Sequence, residues 1–175
     1  ISSKVRCLID EEKDRFLSKA SLDSLKSIIP EEYRNQVDLM AISFNSCTPN
    51  LGNKNFDMID SSVALDIYKK FISRPINVEH QKSGGAIGHI VSAAFSKFDI
   101  NYSSGSGSEI IKATEIKGMK EPVNLSLAAV LYRLYAPDLM EEIEASNDPN
   151  SDKYLSISGS WEILFDEFDI AMGSK

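Results

Sequence analysis

The longest mainly apolar stretch of the chain, Leu125 to Leu134, sets the terms for what surrounds it. Ser126, Tyr132 and Arg133 interrupt it, and it falls well short of the roughly 20 apolar residues that a membrane-crossing helix requires. It therefore reads as the body of an extended segment, Val123 to Tyr135. Two further extended segments are expected before it, Ile87 to Phe98 and Ile110 to Lys117. Between these two lies Asn101 to Ser108 (NYSSGSGS), a low-complexity Gly/Ser hairpin tip expected to be mobile.

The rest of the chain alternates strands with short helices. Val5, Cys7 and Ile9 alternate with Lys4, Arg6 and Asp10, with Leu8 breaking the polarity, which predicts a first strand. Helical character follows over Glu11 to Ala20 and Ser21 to Ile29, with Leu22, Leu25, Ile28 and Ile29 on one face, and Pro30 stops it. Val37 to Phe44 reads as a buried strand. Ser61 is expected to cap a helix to about Ile72 whose core face is Leu65, Tyr68, Phe71 and Ile72. Arg74-Pro75 ends that helix and opens a strand ending on His80. Pro137 sits in the first turn of a short acidic helix, Leu139 to Ala145, and Tyr154 to Phe165 reads as the last strand. The expected fold is a single α+β domain over residues 1–175: a mainly antiparallel β-barrel or sheet with about four inserted helices.

Composition narrows the function classes. With 175 residues, 42% of them hydrophobic and 26% charged, the chain has material for one substantial core and does not read as disordered. A net charge of −7 disfavours phosphate backbones, and no basic run suggests anionic lipid, so neither nucleic acid nor a membrane is expected as a partner. Cys7 and Cys47, without CxxC spacing, read as buried free thiols in a reducing, intracellular compartment. The start at Ile1, without methionine, reads as a trimmed or processed piece. No metal site or cofactor is expected, because two histidines without a third nearby ligand do not hold zinc and the glycines match no P-loop or dinucleotide fingerprint.

Candidate chemistry lies in two stretches. In Arg74 to Ser92 (RPINVEHQKSGGAIGHIVS), His80 ends an extended run beside a flexible turn with Gly84 and Gly85. In Tyr154 to Trp161 (YLSISGSW), a period of two puts Leu155, Ile157 and Trp161 on one face and Ser156, Ser158 and Ser160 on the other. Gly159 there leaves room for a substrate backbone. On pattern alone, serines on a strand's polar face are solvated and a lone histidine is a surface or capping residue. A serine becomes a nucleophile only when a neutral imidazole within hydrogen-bond reach takes its proton. His89 falls in phase with Ile87, Val91, Ala93 and Phe95, which predicts a buried, hydrogen-bonded histidine. The acidic run Asp138 to Glu144 reads as a solvated helix face.

The order NVEHQ, a glycine-containing connection into Ile-Gly-His-Ile-Val, PVNLSLAAVLY, an acidic helix and L-S-I-S-G resembles the prohead (capsid maturation) proteases of tailed bacteriophages. Those are similar in fold to the herpesvirus assemblin proteases, and the resemblance spans roughly Val37 to Phe165. It implies a serine endopeptidase with a herpesvirus-protease-like fold, His80 as general base and Ser156 as nucleophile, with Ser158 as the fallback on the same face. It implies a third group orienting the base: His89 is the available imidazole, and Glu79 and Glu162 are weaker choices. The implied substrates are phage scaffold or core proteins, the major capsid protein and the enzyme itself, with possible self-association. The implied place of action is the interior of the phage prohead in the host cytoplasm. The competing expectation is a non-catalytic capsid-assembly or scaffold domain that keeps the protease fold.

Overall fold

The structure is a computed structural model, and it describes residues 3–8, 23, 26–53, 56–78, 84–98 and 109–159. The expected helix over Glu11 to Ala20, the Asn101 to Ser108 tip and the chain after Gly159 lie outside the described residues.

The architecture is α+β, a curled antiparallel sheet forming a half-barrel with few helices. The strands are β1 (Ser3–Lys4), β2 (Arg6–Cys7), β3 (Leu39–Cys47), β4 (Pro75–Ile76), β5 (Gly88–Lys97), β6 (Ile110–Ile111), β7 (Val123–Tyr132) and β8 (Ser158–Gly159). The main sheet runs β2-β3-β7-β5-β4, with β6 pairing the far end of β5, while β8 pairs β1. Most of the apolar stretch Leu125 to Leu134 lies in β7, the middle strand of this sheet. In β7 nine of the ten residues are buried, because β3 and β5 flank it and both faces are covered.

Two irregularities bend the sheet. Ser46 is an extra residue in β3 between Asn45 and Cys47, and Val91 is an extra residue in β5 between Ile90 and Ser92. Such bulges increase local twist and turn the strand. The Val91 bulge also switches parity, so Ile90 and the later Ala93 and Phe95 all face the apolar clusters of one side. That side holds Met40, Ile42, Phe44, Leu127, Ala129, Leu131, Met140 and Ile143 in one cluster and Phe95, Ile116, Val123 and Leu125 in a second. The other side is covered by Ile28 and Ile29 over Ala41 and Ala128.

Three helices are described whole, α1 (Ser61–Ile67), α2 (Ala113–Ile116) and α3 (Pro137–Asn147), and residues 23 and 26–28 of the helix expected before Pro30 are helical. The cap of α1 is Asp60, not Ser61: its carboxylate accepts from the Ser62 and Val63 amides. The α-helix stops at Ile67, a 3-10 turn carries Tyr68–Phe71, and Ile72, expected in the core, is 40% exposed. Ile110 to Lys117 is not one strand. Only Ile110 and Ile111 pair with β5, after which Ala113 and Ile116, three apart, dock a helical turn against Phe95. β7 ends at Tyr132, and Arg133–Tyr135 form a 3-10 turn. β4 ends at Ile76, so the described extended run stops short of His80. Tyr154 and Leu155 form a turn and the last strand begins only at Ser158. Neither cysteine is in a disulfide, but only Cys7 is buried; Cys47 is half-buried.

Candidate active site

Ser156 sits in a short connection after helix α3, and the chain there is held unusually tightly. Its own amide donates to the Lys153 carbonyl at 2.9 Å, the Leu155 amide donates to the Ser146 carbonyl at 2.8 Å, and the Ile157 amide donates to Ser146 Oγ at 3.1 Å. Leu155 adopts a left-handed φ of 56°, a conformation that costs a branched side chain on the order of 1–3 kcal/mol. The strain is borne immediately before the candidate nucleophile. Side chains then alternate as expected: Leu155 and Ile157 are half-buried, Ser156 and Ser158 exposed. Ile157 packs on the main apolar cluster, so both serines face away from it.

The two hydroxyls differ in their partners. Lys4 Nζ donates to Ser158 Oγ at 3.1 Å. An ammonium is a donor only, so it occupies a hydroxyl lone pair and takes no proton from it. Ser156 Oγ makes no hydrogen bond among the described residues. Gly159 has a structural reason to lack a side chain, apart from any substrate: a Cβ there would come within 2.9 Å of the Phe44 ring.

His80, with Glu79 and the rest of 79–83, lies outside the described residues, as does Glu162. The ends of its loop are described. Ile87 N–H donates to the Ile76 carbonyl at 2.8 Å, closing the base of the β4–β5 connection, and Gly85 takes a left-handed φ of 73°. In strand order β4 and β8 stand at opposite ends, since β8 pairs β1, which runs on into β2. The curl brings both ends to one core: Ile76 and Ile157 pack against the same apolar cluster.

His89 is half-buried on β5, opposite Pro75. It lies on the other side of the sheet from Ala93 and Phe95, because the Val91 bulge breaks the parity that put them in phase. Its Nδ1 is 2.8 Å from the Tyr132 hydroxyl, and the Tyr33 ring meets it edge-on at 6.4 Å between centroids. The expectation of a hydrogen-bonded histidine fits; the reason for its position is different.

No protein-family model matches this chain, and no curated protein or solved structure matches it. What the site can do follows from its own groups. No group of three or more metal-ligating side chains occurs among the described residues. Cys47 is no alternative nucleophile, because burial pushes its thiol up to about 11. The amides of Leu155, Ser156 and Ile157 are all engaged, so none of them is available in this conformation to stabilise an oxyanion. Pattern reasoning missed Ser146, Tyr132 and Lys4. Asn147, its buried neighbour, was the legible sign: it stands seven residues after Met140 and four after Ile143, in phase with the core face of α3.

Proposed function

We propose that this chain is a serine endopeptidase of the prohead-maturation type, with Ser156 as nucleophile and His80 as general base. The observation that carries the reading is the state of Ser156: an exposed hydroxyl, bonded to none of the described residues, on a segment whose three successive amides are pinned, next to a strained left-handed residue. Rigid support around an accessible hydroxyl is what a nucleophile needs and what a merely solvated serine has no use for. The shared packing of Ile76 and Ile157 supports pairing the His80 loop with the serine segment across the open side of the curl.

In this reading His80 takes the Ser156 proton as Oγ attacks the scissile carbonyl. The tetrahedral intermediate collapses with the proton passed to the leaving amine, and water then hydrolyses the acyl-enzyme by the same base. The orienting third group stays unassigned among His89, Glu79 and Glu162: His89 has its Nδ1 held by Tyr132 and lies on the sheet face opposite Ala93, whereas Ile76 and Ile157 pack with Ala93. Ser158, already bonded to Lys4, is the fallback nucleophile. The substrates are scaffold or core proteins and the major capsid protein of a phage prohead, and the chain itself.

Ser156→Ala and His80→Ala should each lower cleavage of a capsid or scaffold substrate by about 10³-fold or more while leaving the circular dichroism spectrum unchanged. Wild-type cleavage by both variants would refute the assignment of these two residues, and no cleavage by the wild-type chain would leave a non-catalytic assembly domain as the better reading. Loss in Ser158→Ala alone would move the nucleophile two residues along the same face.

A further inference from the structure

Helix α3 ends in two polar residues that are completely buried or nearly so, Ser146 at 0% and Asn147 at 2% exposure. Buried polar side chains are costly unless bonded, so their partners reveal their use. Asn147 ties the helix to the N-terminal strand: its Nδ2 donates to the Ile143 and Val5 carbonyls at 2.8 and 3.3 Å, and its Oδ1 accepts from the Cys7 amide at 3.3 Å. Ser146 ties the helix to the serine segment. Its carbonyl, one of those a helix end leaves without an internal partner, accepts the Leu155 amide, and its hydroxyl accepts the Ile157 amide. The Val5 amide donates to the Ile157 carbonyl at 3.2 Å and closes the frame.

We infer that Ser146 is the positioning residue for the Ser156 hydroxyl, holding the residue before it and the residue after it from one buried point. The inference rests on the serine-protease reading above and adds a determinant of its rate. The two bonds bracket Ser156 without touching its side chain. They hold Leu155 in a conformation it would otherwise leave, and so set the direction in which Oγ points. A displacement of about 1 Å at a reacting atom costs on the order of 10²-fold in rate. Removing the hydroxyl of Ser146 frees the Ile157 amide, and the segment can turn.

The test uses the full chain and a fluorophosphonate probe, in which the serine Oγ–P bond forms, P–F breaks and the proton leaves with fluoride. Ser146→Ala should react about 10- to 100-fold more slowly than wild type, with a lower plateau in the pH–rate profile but the same midpoint, which belongs to the base. Peptide cleavage should lose kcat with KM held, and Ser146→Thr, which keeps the hydroxyl, should recover to within about threefold. A merely structural role would lower the melting temperature and leave the labelling rate of the folded fraction unchanged; that result overturns the inference and spares the protease reading. If Ser146→Ala does not fold, Ser146→Cys, with its weak sulfur acceptor, takes its place under the same two outcomes. A wild-type chain that labels no faster than Ser156→Ala overturns the protease reading and this inference together.

Discussion

Single residues in this protein matter most where backbone approaches backbone. Gly88 begins β5 against β7, and a Cβ there would stand 2.1 Å from the Val130 carbonyl oxygen and 2.9 Å from the Leu131 Cα. Those atoms belong to the middle strand and cannot move aside as a flexible side chain would. Gly88→Ala should therefore lower the free energy of unfolding by about 3 kcal/mol or more in urea titrations, an overpacking cost at the upper end of the usual range. A cost near zero would mean that β5 and β7 are not paired in this register. In the sequence Gly88 belongs to the Ile-Gly-His-Ile-Val run that carries the resemblance, and in the fold it is a point of contact between strands.

Elements are shaped by caps and bulges as much as by periodicity. Helix α1 begins at Asp60, whose carboxylate is held below the usual carboxylate range first by the Ser62 hydroxyl and then by the Val63 amide. A carboxylate so depressed stabilises the fold above its ordinary titration and loses that contribution as pH falls through the lowered value. Asp60→Ala should cost about 1 kcal/mol at neutral pH. The difference from wild type should close on acidification below 3.8, the ordinary value for such a group. Parallel urea titrations of both proteins from pH 7 downward check it; a gap constant with pH would remove the charge from the explanation. Periodicity alone located α1, β5 and β7, because each buries one face or both. It failed at Ile110–Lys117, where two apolar residues pair with β5 and the next two dock as a helical turn on the same cluster. It failed again at His89, because a single extra residue at Val91 turns every later side chain over.

The described fold is one curled sheet with apolar clusters on both sides, and Phe71 packs against both clusters of one side. Shared strands leave no seam along which one cluster could open alone, which favours all-or-none unfolding. In urea, far-ultraviolet circular dichroism and thiol accessibility should pass through one coincident transition, since Cys7 lies in β2 and Cys47 at the end of β3. Two separated midpoints would show that the N-terminal strand leaves before the rest. By itself the sequence determined the apolar middle strand, the α+β alternation and the inside–outside order of Leu155 to Ser158, all properties of a side chain and its near neighbours. Only the tertiary structure decided that Asn147 and Ser146 anchor the N-terminal strand and the serine segment, that Tyr132 holds His89, and that Ile76 and Ile157 meet one core. Those contacts join residues from 9 to more than 100 positions apart. Chain proximity carries no information at such separations, and two bulges and the curl they produce set who meets whom.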